Sequence, residues 1–350
     1  MRRSSGLAKA TEAHRKTSIN STNLSTPTPV SDDGTPLTPV DGRSQIGDLK
    51  IIPIEPPPFP SSRPRRSTKG PSRKAETTSM PRETNDSPPV KQKPDPQPEE
   101  PLRRKTEGPV ADNTRQVFGT DSRVLITPTN IFPNRAICRL IVAYPLTPTG
   151  TAFAGTGSLI GDRHVLTAGH VLFNAAQGGW ARRIRVVPGM DGDTWWFDSE
   201  LLVWPGFTQR SVTGWTEDQD IDYDYGLITL NTGFSLGSFG LLYASDSTLD
   251  STTAYLTGYP AERGTPAGTQ QFGVPGGGGV TDYDSTLVYY KIDTSKGQSG
   301  SGVYRFWEGK RAIIAVHGGQ YDSDENRGAR ITKDRYNRIR GWQSADLGLL

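Results

Sequence analysis

Thr156-Gly-Ser-Leu-Ile-Gly-Asp-Arg-His-Val-Leu-Thr-Ala-Gly-His170 is the stretch that decides how this chain folds. Two short apolar runs, Thr156–Ile160 and His164–Thr167, flank a Gly161-Asp162-Arg163 turn. This reads as a β-hairpin, because Gly and Asp accept turn backbone while branched side chains suit a pleated surface. The same texture extends outward in both directions from about Gln116 onward. Ala136–Tyr144, Ile184–Val187, Leu201–Trp204, Leu227–Leu230, Thr253–Thr257, Leu287–Ile292, Ala312–His317 and Gly328–Ile331 read as further strands. Helical periodicity emerges only at Lys333–Gln343. Many short strands at regular spacing argue for a sandwich or barrel.

Upstream the composition changes sharply. Residues 1–115 hold 19 of the 28 prolines and none of the seven tryptophans, with Phe59 their only aromatic residue. They carry 20 Lys/Arg against 14 Asp/Glu, a net +6, whereas residues 116–350 carry 20 against 23, a net −3. The overall +3 is therefore a basic segment joined to a mildly acidic domain, and it is not a nucleic-acid footprint of the folded part. A segment this poor in apolar groups is expected to stay disordered, since burial cannot offset the entropy of ordering. Within it, Pro56–Pro60 favours polyproline II. Ile51-Ile-Pro-Ile54 reads as a linker, with a docking peptide as the alternative. Arg63, Arg65, Arg66, Lys69, Arg73 and Lys74 form a solvated basic cluster, and Arg103-Arg-Lys105 and Arg115 are sites open to a trypsin-like protease.

Cys138 is the only cysteine, so no intramolecular disulfide exists; its face, shared with Ala136, Leu140 and Val142, makes it an inert core thiol. No run approaches the ~18 apolar residues of a membrane span, and no apolar core of a signal peptide follows Met1-Arg2-Arg3.

Chemistry is concentrated in three places. Lys296-Gly-Gln-Ser-Gly-Ser-Gly302 sets a serine in a glycine turn at the start of a strand, where backbone N–H groups can converge beside its hydroxyl. Leu166-Thr-Ala-Gly-His170 ends an apolar strand in a small-residue turn bearing a histidine, the side chain best suited to act as a base near neutrality. Asp220-Ile-Asp-Tyr-Asp-Tyr-Gly226 places carboxylates just before a buried strand, either as an acidic loop, a cation site, or the group that orients the histidine. His14 and His164 read as structural or surface histidines.

The order His170, Asp224, Ser299 is one of the three chain orders known for a Ser-His-Asp triad. Here the domain resembles the trypsin-like serine proteases, specifically the glutamyl endopeptidases of the staphylococcal V8 and Bacillus type. The matching stretches are Val117-Phe-Gly-Thr-Asp-Ser-Arg123, Leu166–His170, Tyr223-Asp-Tyr-Gly226, Gly258-Tyr-Pro260, Gly297-Gln-Ser-Gly-Ser301, Ala315-Val-His317 and Asn326-Arg-Gly-Ala-Arg-Ile-Thr-Lys333, all in the family's order. Nothing in residues 1–115 takes part in the likeness.

The resemblance implies an all-β fold of two antiparallel six-stranded β-barrels, about 116–232 and 233–350, with a short C-terminal helix and a preceding disordered arm that is a possible propeptide. It implies catalytic His170, Asp224 and Ser299, an oxyanion hole of the Gly297 and Ser299 N–H groups, and a substrate glutamate held by Thr294 and by a charge-assisted His317. The expected activity is serine endopeptidase cleavage after Glu, with Asp second. A protease of different specificity, or a protease-fold binding protein acting through its arm, are the alternatives. Polypeptides are the expected partners, with no cofactor, metal, nucleic acid or membrane, and a monomer is expected. Relatives are secreted precursors, so the likeness implies an extracellular location, while the lack of a visible signal peptide leaves an intracellular protease as the alternative. The composition boundary and the start of the likeness at Val117 imply cleavage near Arg115–Gln116. Two departures stand out. The positions of the Bacillus disulfide carry Gly155 and Val171, and Gly302 replaces a proline, which leaves the start of that strand looser. Gly276–Gly279 reads as a mobile loop.

Overall fold

A computed structural model describes residues 40–41, 49–54 and 115–348. The readings of Pro56–Pro60, of the basic clusters at 63–74 and 103–105, and of His14 lie outside the described residues.

The opening hairpin is present as strands Thr151–Gly161 and His164–Thr167. It lies within a curled sheet whose strands run in the order Glu200–Val203, Arg183–Pro188, Ile137–Ala143, Thr151–Gly161, His164–Thr167, Gly226–Thr229 and Thr208–Arg210. Every residue of Ile137–Ala143 is buried, although a strand with one solvated face would alternate. Cys138, Leu140 and Val142 line the barrel's core at 0% exposure, and burial pushes the Cys138 thiol far up, as expected of an inert core group. The opposite face is closed by the second barrel. There the Arg139 Nη1 donates to the Tyr259 carbonyl at 3.1 Å, its guanidinium 5.8 Å from that ring, and burial lowers its pKa to about 10.

The second barrel is a closed ring of six segments. Thr253–Ala254 pairs with Gly278–Tyr283, and pairing then passes through Leu287–Tyr290, Asn326–Arg330, Lys310–Gln320 and Gly302–Trp307. Reciprocal bonds between Tyr255 and Tyr304 (N to O, 2.8 and 2.9 Å) close it. Gly240–Leu241 adds a short parallel strand outside the ring. Gly278 and Gly279, expected in a mobile loop, belong instead to a strand. Gly278 is required there because the chain presses against Lys291, whose carbonyl lies 2.5 Å from where its Cβ would sit, whereas a Cβ on Gly279 would meet nothing.

The two ends of the domain cross over. Arg115–Gln116 pairs with Thr294–Ser295, and Val124–Leu125 with Phe272–Gly273, so the first residues in sequence sit on the second barrel. The helix Lys333–Asp346, capped by the Thr332 hydroxyl on Arg335 N, sits on the first. Gln343 Nε2 donates to Ile160 O at 3.0 Å, the Tyr225 and Trp342 rings stack, and the Asp346 carboxylate lies between Arg210 and His164. His164 is thus structural, and its burial lowers its pKa despite Asp346.

One element corrects the expectation for the upstream segment. Lys50–Pro53 is a strand, laid parallel on Thr151–Ala154, and Ile54 beside it is fully buried in the first barrel's core. Four consecutive apolar or β-compatible residues suffice to dock here. Fully burying one isoleucine contributes about 1.5–3 kcal/mol, which the surrounding composition concealed.

Candidate active site

Three segments from both barrels converge in the cleft. His170 sits in the single turn Gly169–Leu172, directly after strand His164–Thr167. Asp224 follows the 3-10 turn Ile221–Tyr223, itself capped by the Asp220 carboxylate on Asp222 N. The Asp224 carboxylate is fully buried and accepts from the His170 backbone N at 2.9 Å. The same carboxylate lies 3.0 and 2.8 Å from His170 Nδ1. The backbone bond fixes the carboxylate and the ring bonds fix the imidazole, so Nδ1 carries a proton and Nε2 presents its lone pair. Nε2 is buried and has no hydrogen-bond partner among the described residues. Of the three alternating aspartates, it is Asp224 that orients the histidine.

Ser299 lies in the tight turn between Thr294–Ser295 and Gly302–Trp307. Gly297 and Gly300 take φ of 93° and 87°, a region that L side chains rarely enter. A Cβ on Gly300 would also collide with Thr167 Oγ1 and the Thr156 carbonyl, so the turn packs directly on the strands leading to His170. That approach is pinned by Thr156 N donating to Ser299 O at 2.9 Å and by Thr156 Oγ1 donating to Gly297 O at 2.8 Å. The N–H groups of Gln298, Gly300 and Ser301 are all engaged, by Ser295 O, His317 O and Gln298 O. Those of Gly297 and Ser299 donate to no acceptor among the described residues.

Both departures from the family pattern are accommodated. A Cβ on Gly155 would lie 3.0 Å from Val171 Cγ2, so the two positions still face each other and the valine side chain fills the space. Gly302 does not loosen its strand: its N–H donates to Ser158 Oγ at 3.2 Å, a bond proline could not make, and it pairs with Val316.

His317 is buried on strand Lys310–Gln320, and its backbone clamps the serine turn from the other side. Its Nδ1 lies 2.7 Å from Tyr290 Oη, which is also 3.1 Å from the Arg327 carbonyl. Burial, then the nearby Arg327 and His170, lower the His317 pKa to about 3. The ring is therefore neutral before substrate arrives, and any charge assistance can develop only on binding. Thr294 is buried 23 residues upstream on its own strand, and neither its hydroxyl nor His317 Nε2 makes a hydrogen bond among the described residues. The folded ring resists a proton that the unfolded chain takes up near 6.5. His317 thus lowers stability progressively as pH falls from about 6.5 toward 3. Nitrogen NMR of the ring should show it neutral down to pH ~4; protonation near 6.5 would contradict its burial.

Three supporting groups were missed. Arg123, its side chain fully buried, donates from Nη1 to Ser295 Oγ at 2.8 Å and to Gln298 Oε1 at 2.9 Å, and from Nη2 to Asp121 and Glu262. Ser295 Oγ donates to Glu262 in turn. Hydrogen bonds to Asp121 and Glu262 outweigh burial and raise the Arg123 pKa, while those from Ser295 and Arg123 hold Glu262 below its usual range. This tie is present above the ordinary glutamate range and lost as acid protonates Glu262. Arg123 fastens the start of the domain to the residue preceding Ser299. Arg123→Ala strands several buried partners, and urea unfolding should register a loss of about 3–5 kcal/mol; under about 1 kcal/mol would mean water replaces it. Arg327 is the second group. A Cβ on Gly318 would lie 2.5 Å from Arg327 Nη1 and 3.1 Å from Asp224 Oδ2, so a buried cation approaches the far side of the carboxylate. Tyr290 is the third.

No family model matches the sequence. Among curated proteins it is 33% identical over 231 residues to an extracellular metalloprotease of Bacillus subtilis, covering 65% of this chain and 69% of that protein. It is 30% identical over 240 residues to a glutamyl endopeptidase of Bacillus licheniformis, covering 66% and 70%. Among solved structures, one of a Glu endopeptidase in complex with MPD superposes with a TM-score of 0.54 at 25% identity, covering 65% of this chain and 99% of that one. The first name refers to a metal, yet among the described residues no group of three or more His, Cys, Asp or Glu is gathered to hold one. The chain belongs to the V8-like, glutamyl-endopeptidase family of chymotrypsin-fold serine endopeptidases.

Proposed function

We infer that Ser299 is the nucleophile, His170 the general base and Asp224 the orienting acid of an endopeptidase that cleaves after glutamate, with aspartate second. The observation that carries this reading is the Asp224–His170 pair, which leaves Nε2 unengaged in the cleft. In this mechanism Nε2 takes the Ser299 proton as Oγ attacks the scissile carbonyl. The unengaged N–H groups of Gly297 and Ser299 stabilise the oxyanion, and removing one such donor typically costs about 10²–10³ in turnover. His170 then passes its proton to the departing amine, and water releases the acyl group by the same steps in reverse.

Specificity follows from two further unengaged groups, His317 Nε2 and the Thr294 hydroxyl. The Tyr290 hydroxyl gives its one proton to the Arg327 carbonyl and so accepts from His317 Nδ1, which leaves the lone pair of the neutral ring on Nε2. In this reading a substrate carboxylate brings a proton onto Nε2, which then donates to it beside the Thr294 hydroxyl. An apolar side chain would leave these buried polar groups unpaired, which disfavours it. The likeness to a protein named glutamyl endopeptidase supports the same choice. Digesting a denatured protein with wild type and Ser299→Ala, then mapping the ends, tests the reading. Cuts after Glu that vanish in the variant support it. Cuts with no acidic preference would remove Thr294 and His317 from the site, and cuts that persist in the variant would remove Ser299.

A further inference from the structure

We propose that the edge of strand Thr151–Ala154 is a strand-addition site for the chain's own Lys50–Ile54, which stays bound after the chain is cut between residues 54 and 115. The upstream segment then persists as a non-covalent second chain of the processed protein.

The pairing is built rather than incidental. Lys50 N donates to Gly150 O at 2.8 Å and Ile54 N to Ala154 O at 3.1 Å, with four residue pairs in parallel register between them. In a parallel ladder the N–H groups of alternate residues point to the partner. Here those are residues 50, 52 and 54. Pro53, which has no N–H, falls at a position where no donor is needed, so the proline that would disqualify another register is tolerated in this one. Ile54 has 0% exposure and is counted within the first barrel's core, alongside the side chains of the barrel's own strands. Upstream, Val40–Asp41 pairs with Thr194–Trp195 in a separate two-stranded sheet. A two-residue pairing cannot hold a peptide alone, so Lys50–Ile54 is the anchor.

The location gives the docking a consequence. Two residues beyond Ala154 on the same strand, Thr156 holds the Ser299 carbonyl and the Gly297 carbonyl. The added strand therefore braces the strand that braces the serine turn. A processed enzyme that discarded it would expose a pocket shaped for isoleucine in its own core.

The test uses the full chain with the recognition sequence of a site-specific protease inserted between Lys91 and Pro101. After cutting, native size-exclusion chromatography with mass spectrometry should find both pieces in one peak in equal amounts, separating only in denaturant. The cut Ile54→Asp protein should release the fragment, with dissociation favoured about 100-fold. Ile54→Ala should weaken retention about 30-fold, which keeps the comparison readable if the aspartate variant does not fold. Separation of the cut wild-type pieces in native buffer overturns the proposal, and so does undiminished retention by both variants. No arm of the test reads peptidase activity, so its outcome is independent of the catalytic assignment.

Discussion

Ser299→Ala should lower kcat by about 10⁵–10⁶-fold while leaving the melting temperature unchanged. The removed atom is the nucleophile, and no other hydroxyl in the turn is placed to replace it: Ser301 is fully buried with its backbone tied to Gln298 and His317. The fold should not notice the loss, because the Ser299 hydroxyl makes no hydrogen bond among the described residues and its role in packing belongs to the carbonyl held by Thr156. Single-turnover kinetics on a glutamate-containing peptide, with thermal unfolding alongside, checks both halves. Retention of more than about 1% of wild-type kcat would be incompatible with Ser299 as nucleophile.

Asp224→Asn should lower kcat by about 10⁴-fold by a different route. The amide can still sit beside His170, but it no longer demands a proton on Nδ1, so the ring can turn its lone pair inward and leave Nε2 protonated and useless as a base. This variant should also lose stability, unlike Ser299→Ala. The backbone N of His170 loses a charged acceptor, and the buried Arg327 guanidinium loses the first of the carboxylates that oppose its burial. A Tm drop together with a collapsed kcat is the expected signature. A kcat within tenfold of wild type would mean that another group orients His170.

Most of the fold was legible in the sequence because its signals are local, whereas the choice of Asp224 as the partner of His170, 54 residues away, came only from the family resemblance. Gly161-Asp162-Arg163 announces its hairpin, and Ala168-Gly169-His170 closes a strand within five residues. Arg123 was not legible: it works through Ser295 and Gln298, 172 and 175 residues away, and no local pattern encodes such a contact. Tyr290 looks like any core aromatic until His317 is seen beside it. Arg327 depends on the missing side chain of Gly318 across the sheet. Lys50–Ile54 was hidden by its neighbours, since a window average over a proline-rich segment dilutes the short apolar run after Lys50 that a sheet edge selects one residue at a time. Gly278 and Gly279 misled in the opposite sense, because glycine signals a loop as readily as a close backbone approach.

The central claim is that Ser299 is activated by the His170–Asp224 pair, and covalent labelling tests it most directly. The full chain, processed to its active form, is treated with a diisopropyl fluorophosphate probe and the adduct is located by peptide mass spectrometry. The account predicts one adduct per chain, on Ser299, lost in step with activity and absent from Asp224→Asn over the same time. Labelling of another residue, or complete inhibition with Ser299 unmodified, would contradict it.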